Sequence, residues 1–181
     1  GRRPEHLFDG IDSSPSVSPD GNHLTWVRAE FPRSGESALM IAKIDGSGAR
    51  AIATRRPPER FVMFFAGPSW SPDGAWIATA VQRYADPLGS RLILVDPKPG
   101  VEKALLDRNW PLITQSAWLS DGSGIVTVAS SDENDISRLR LWLVPYPSGT
   151  PMRITPELSA YRGISVAAQG DLLVSLMGEM S

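Results

Sequence analysis

Cysteine is absent from the 181 residues, and histidine occurs only at His6 and His23. The first absence excludes disulfides and the common cysteine-bearing zinc sites, while leaving oxidising and reducing compartments both open. With only two histidines, one near the start and one at the head of a strand pattern, little is left to build a metal cluster or a serine-histidine-acid triad. No run of about eighteen apolar residues occurs, and no basic, then apolar, then small-residue N-terminus, so direct membrane insertion is not expected. Neither a G-x-S-x-G nucleophile elbow nor a G-x-x-x-x-G-K phosphate loop is present. The formal charge is −2 with no polybasic stretch, which gives no field to attract nucleic acid. No segment has a helical period; "PELSAYRG" at 156–163 offers one turn at most. By itself the chain is therefore not expected to be an enzyme, to hold a cofactor or metal, or to bind nucleic acid.

What is present is repetition. Aligned on a glycine, "VSPDG" ends at Gly21, "WSPDG" at Gly74, "WLSDG" at Gly122 and, more faintly, "VAAQG" at Gly170. The spacing is roughly fifty residues, within the range of repeat architectures. Four residues before each glycine stands a large apolar side chain: Val17, Trp70, Trp118 or Val166. After each comes an apolar run: "HLTWVRA", "WIATAV", "GIVTVA" or "DLLVSL". Three units continue with "ALMIAKI", "RLILVD" or "LRLWLV", and end on "RAIA", "KALL" or "MRIT". These β-branched and aromatic runs, punctuated by Gly, Pro, Asp and Ser, read as strands.

The repeated "SPDG" has a turn's chemistry. Proline presets the first central angle, Asp bonds back to the backbone, and Gly accepts positive φ. Asp20, Asp73 and Asp121 are accordingly read as turn formers. Four antiparallel strands per unit is the pattern of a propeller blade. The units "PSVSPDGNHLTWV…ALMIAKIDGSGARAI" and "PSWSPDGAWIATA…RLILVDPKPGVEKALL" resemble the WD-type β-propeller repeats of the TolB family, from Ser14 to about Leu176. The third unit departs with Leu119 and Ser120, and the last replaces the turn by "AAQG". The stretch "MRITPELSAYRGISVAAQGDLLVSL" is also similar to propeller regions of bacterial eukaryotic-like Ser/Thr kinases. Similar repeats form the N-terminal propeller of prolyl-oligopeptidase-like serine peptidases.

The expected fold is thus all-β, a partial propeller of about three and a half blades. Residues 1–11 form a leader or closing strand; blades occupy about 12–53, 65–106 and 112–155, with a partial one at 161–181. Such an open arc leaves blade faces and strand edges to be covered. Self-association is expected, most simply as a twofold dimer. The resemblance implies a noncatalytic protein- or ligand-binding module, a sensor or scaffold region of a larger bacterial protein, in a periplasmic or other extracytoplasmic setting. The alternatives are the substrate-gating propeller of a prolyl-oligopeptidase-like hydrolase and a self-assembling structural unit.

Loop parity nominates a binding face. The first-to-second and third-to-fourth turns of every blade share one side and are short. The other connections share the opposite side and are long: 30–36, 54–67, 82–89, 107–112, 130–137 and 155–162. Long loops on a rigid scaffold are the usual place for recognition. On that face Arg55, Arg56, Arg60, Arg83, Tyr84, Arg108 and Trp110 are the candidate contacts, since arginine and aromatics combine a planar polar grip with apolar area. For the arginines a plain solvated surface is the competing reading. Trp110 competes as packing under its own loop, and Phe61, Phe64 and Phe65 as a strand or loop plug between blades. Asp132, Glu133 and Asp135 are acidic, but "SDENDIS" lacks the ligand spacing and central glycine of an EF-hand loop. The six tryptophans read as buried packing.

Overall fold

The computed structural model describes residues 9–63, 67–85, 87–98, 101–106, 109–155, 160–167 and 172–177. It is all-β; among the described residues there is no helix, hence none long and apolar enough to cross a membrane. The first sheet runs β1 (Ser16–Val17), β2 (His23–Ala29), β3 (Ser37–Lys43), β4 (Arg50–Arg55), in that order. The second is β5 (Glu59–Phe61) and β6 (Ser69–Trp70), both on β7 (Ile77–Arg83), then β8 (Gly89–Val95) and β9 (Glu102–Ala104). The third is β10 (Leu112–Trp118), β11 (Gly124–Ser130), β12 (Arg140–Pro145) and β13 (Met152–Arg153). A two-stranded pair follows, β14 (Ala160–Val166) with β15 (Leu172–Met177). Every pairing is antiparallel between chain neighbours, except that β5 skips over β6 to reach β7. The result is an open partial propeller of about three and a half blades.

The apolar runs of β3, β7, β8 and β11 are continuous because these strands are buried on both faces. Along β7 and β8, Ile77, Val81, Ile93 and Val95 pack with Val27, Leu39 and Ile41 of blade 1. The alternate residues Ala78, Ala80, Leu92 and Leu94 pack with Ile113, Trp118 and Ile125 of blade 3. Along β11, Ile125 and Ala129 face blade 2, while Val126 and Val128 join Tyr161 and Ile164 of the last pair. The period of two thus sends successive residues of one strand into two different cores. Serines pin the junctions: Ser37 Oγ accepts the Phe61 N–H at 3.0 Å, Ser90 Oγ the Ile113 N–H at 3.1 Å, and Ser69 Oγ the Trp118 N–H at 3.0 Å.

The "SPDG" turns behave as their chemistry requires. Gly21, Gly74 and Gly122 have φ of 72°, 70° and 72°. Ser71 Oγ accepts the Trp76 N–H at 2.9 Å and donates to Asp73, which accepts the Ala75 N–H at 3.0 Å. Ser18, Asp20, Asn22 and His23 repeat this arrangement. Where Leu119 replaces the serine, Asp121 takes the Ser123 hydroxyl instead, at 2.7 Å. The hydroxyl before the proline is therefore part of the turn.

One connection differs from the sequence expectation. Residues 54–67 are not a single loop, since β4 extends to Arg55 and Glu59–Phe61 form β5. Because β6 pairs only with Ile77 and Ala78, the far end of β7 is left to β5, which pairs Phe61 with Val81 and Glu59 with Arg83. The inner edge of blade 2 is thus shared between β5 and β6.

Candidate functional site

On the long-loop side a concavity lies where β5 takes the place of β6 at the inner edge of blade 2. A groove of 760 Å³ opens between β5 and β10. Its apolar wall is Val62, Met63, Leu112 and Ile113, with Pro57 and Pro58 from the β4–β5 connection at its edge. Arg60 and Tyr84 supply the polar and aromatic features. Tyr84 is 65% exposed, a large amphipathic surface beside an apolar wall. The floor is held by a buried relay in which Ser90 Oγ donates to Gln82 Oε1 and accepts from Ile113 N–H, tying blade 2 to blade 3. Thr114 sits where β10 slips register against β11, and its hydroxyl donates to the Val128 carbonyl at 3.3 Å. Arg60 lies 3.6 Å from Glu30. The Gly35 N–H and the Ser34 hydroxyl hold the Glu30 carboxyl below the usual carboxylate range, with Arg60 adding to the effect. Glu30 thus faces the Arg60 guanidinium at the edge of the groove.

The structure divides the sequence candidates. Arg60 and Tyr84 come together in the groove. Arg83 lines a separate notch of 160 Å³ with Glu59 and Arg91. Arg56 is 73% exposed and pairs with the largely buried Glu36 at 3.3 Å. Arg55 belongs to a junction network: it bridges Glu102, lies 3.8 Å from Glu59, and stacks 4.8 Å from the Phe61 ring. Glu59 in turn receives Arg91 at 2.6 Å. Arg55 is spent on holding blade 1 to blade 2 and is not a free contact. Trp110 needs the same correction. It is 1% exposed, exchanges both backbone hydrogen bonds with Ser90, and meets Trp142 edge-on at 4.9 Å. It fills the volume left by the small Ala78 and Ala80 in the core between blades 2 and 3. Arg108 lies outside the described residues, as do Phe64, Phe65 and His6. Phe61 is buried in the junction core.

The acidic loop is occupied by its own chain. Arg138 lies 2.8 Å from Asp135 and 3.9 Å from Asp132, and Ser137 bonds Asp135. Among the described residues no group of three or more His, Asp or Glu is placed to hold a metal ion. The groove residues that sequence reasoning passed over are Pro57, Val62, Met63, Leu112 and Thr114. Their signal was the apolar run from Phe61 to Ala66 ahead of Trp70, which is longer than one buried inner strand of this blade needs.

No family model matches the sequence, and no curated protein matches it. Solved structures do match in shape. TolB from Acinetobacter baumannii superposes with a TM-score of 0.72 at 14% identity, over 93% of this chain and 38% of that one. A protein described as TolB from Agrobacterium tumefaciens gives 0.70 at 18% identity, over 94% of this chain and 59% of that one. The β-propeller domain of the Trilobed protease from Pyrococcus furiosus, described as having an open velcro topology, gives 0.58 at 16% identity, over 87% and 47%. This chain therefore spans well under two thirds of each of these structures, and what it shares with them is the TolB-like β-propeller fold.

Proposed function

We propose that the chain is a noncatalytic binding module whose groove between β5 and β10 receives an extended, largely apolar segment of a partner protein. The observation that carries this reading is the groove itself: an apolar wall formed by β10 and by the residues that follow β5, flanked by one exposed tyrosine and one arginine. That combination suits a protein interface, where Tyr and Arg anchors supply most of the affinity. Arg60 favours a carboxylate near one end of the segment. In a longer bacterial protein such a module would serve as a sensor or scaffold region, as the resemblance to propeller regions of bacterial kinases implies. The similarity to a protease propeller domain supports a second reading, in which the same groove lies on the substrate path of a separate hydrolase domain.

The test is selection of a random dodecapeptide library on the 181-residue chain, then titration of the enriched peptide against variants. Tyr84→Ala and Leu112→Ser should each weaken binding about tenfold or more. Peptides that bind both variants as well as the parent, or a library that yields no enrichment, would refute the assignment.

A further inference from the structure

The repeat supplies its own internal control. At the junction of blades 2 and 3, on the short-turn side, four side chains interlock. Trp76 and Lys103 come from blade 2, Trp118 and Tyr146 from blade 3. Tyr146 meets Trp118 edge-on at 5.0 Å. The Lys103 ammonium lies 4.0 Å from the Trp76 ring and 5.1 Å from the Tyr146 ring, and its Nζ is 3.4 Å from the Tyr146 hydroxyl. A cation between two rings, with a third ring behind, closes this junction.

One junction earlier, strand register identifies the equivalent positions. Trp70 stands where Trp118 does, and Arg50 where Lys103 does, each across from the same level of its third strand. His23 replaces Trp76, and Pro97 replaces Tyr146. The last equivalence is fixed by the backbone: Tyr146 N–H donates to the Ser123 carbonyl at 2.9 Å and Ile44 N–H to the Asn22 carbonyl at 2.8 Å, while proline has no N–H to offer at this place. The tryptophan and the cation are kept, and both other aromatics are lost. What results is a cleft of 530 Å³, floored by Ile41 and Ala42 and walled by Trp70. Trp70 is 8% exposed and its indole Nε1 is buried with no hydrogen-bond partner. Trp118 Nε1 shares that condition, but Tyr146 is packed against its ring. Arg50 still reaches across the junction, donating to the Pro97 carbonyl at 3.2 Å.

We propose that this cleft is a binding site for a tyrosyl side chain presented by a partner polypeptide, its ring taking the place that Tyr146 fills one junction later. Trp70 meets the ring edge-on, and the Arg50 guanidinium covers its face and reaches the phenolic oxygen. The rim selects the flanking residues. Lys43, Arg50 and Lys98 stand against Asp20 and Asp73, and both carboxylates are already held within their turns by Ser18, Asn22, Ser71 and Ala75. Three cationic side chains against two carboxylates leave the rim with a net positive charge, which favours a carboxylate beside the tyrosine. A site of this volume, within the range of ordinary ligand pockets, takes the ring together with its neighbours. It lies on the short-turn side, opposite the groove between β5 and β10, and is independent of it.

The experiment follows the indole N–H resonances of the 181-residue chain, with Trp70 assigned through Trp70→Phe. The probe is the peptide acetyl-Glu-Tyr-Glu-amide; the controls are its phenylalanine counterpart and p-cresol. Expected is a saturable shift of Trp70 with Trp118 unmoved, at least threefold weaker for the phenylalanine peptide. Pro97→Tyr restores the ring and the missing N–H, and should weaken binding tenfold or more while leaving the Trp118 resonance in place. His23→Trp is a second filling variant with the same expected effect, and Arg50→Met should weaken binding about tenfold. No saturable shift at millimolar peptide, or undiminished binding in both filling variants, would overturn the site. Binding of p-cresol as tight as the tyrosine peptide would overturn the polypeptide assignment.

Discussion

Replacing Ser90 by alanine tests whether the blades are joined by specific polar pins or by apolar contact alone. Ser90 is fully buried at the head of β8. Its hydroxyl donates to Gln82 Oε1 and accepts the Ile113 N–H at 3.1 Å. Alanine leaves a buried N–H on one blade and a buried amide oxygen on the other, and the vacated volume is smaller than a water needs. Each unsatisfied group costs ~1–3 kcal/mol, so a loss of about 2–4 kcal/mol is expected. Urea titration should show a lower midpoint with an unchanged slope. Amide exchange reads the same event locally: a loss of about 2 kcal/mol at the junction speeds exchange of Ile113 N–H roughly thirtyfold. Ser47→Ala, on an exposed turn, serves as the control and should stay within about 0.5 kcal/mol of the parent. A Ser90→Ala protein equal to that control, with Ile113 exchange unaltered, would refute the idea that serine pins set the junction.

Three further outcomes are expected. Gly67→Ala places a Cβ 2.1 Å from the Ser14 carbonyl oxygen of blade 1; overpacking of this kind costs ~1–3 kcal/mol, and a thermal midpoint unchanged from the parent would contradict the close approach. Acid should weaken the turns: the Ser18 hydroxyl, with the Asn22 backbone and side chain, lowers Asp20 from 3.8 to about 2, and Asp73 and Asp121 are lowered by the same kind of bonds. Because the folded-state values are depressed, this stability is present above the ordinary carboxylate range and is lost as pH falls from about 4 towards 2. Carboxyl carbon shifts should place the Asp20 midpoint near 2, moving up in Ser18→Ala; a midpoint near 4 in the parent would count against it. The proposed twofold closure predicts a solution mass near twice 19.6 kDa that persists on dilution, and a persistent monomer would end that proposal.

The blades were legible because each unit repeats both its turn chemistry and the phase of its strands. Gly21, Gly74 and Gly122 mark the same corner, and the residues after them alternate between two cores. β5 was not legible. "ERF" is too short and too polar to read as a strand, and it forms one because β7 is longer than β6 can pair. The candidate contacts were sorted by a similar shortfall. Loop parity placed Arg55, Arg60, Tyr84 and Trp110 on one side of the scaffold, but exposure depends on partners distant in sequence. Glu102 draws Arg55 into the junction, and the small Ala78 and Ala80 let Trp110 sink between blades. Among the described candidates, Arg60 and Tyr84 meet a concave apolar wall.

Parity also directed attention away from the short turns, where the repeat itself holds the more specific signal. Comparing equivalent positions shows His23, Trp76 and Gly124 at one place, and Ile44, Pro97 and Tyr146 at another. A structural repeat needs a filled junction, and Trp76 with Tyr146 is one way to fill it. Losing both aromatics while keeping Trp70 and Arg50 removes the plug without removing the socket. A change serving only stability would have filled the cleft with apolar side chains, since a bare apolar void between blades is destabilising. Lys43, Lys98 and Arg50 stand at its rim instead, where their charges favour an occupant from outside. The two sides of the propeller thus carry different kinds of concavity. The groove by β10 lies where β5 takes over from β6 along β7, and the cleft by Trp70 where His23 and Pro97 stand in place of Trp76 and Tyr146. Binding at one should therefore leave the other's affinity unchanged in paired titrations, because the two sites share no lining residue and the serine pin at Ser37 and the apolar core around Ile77 and Val81 separate them.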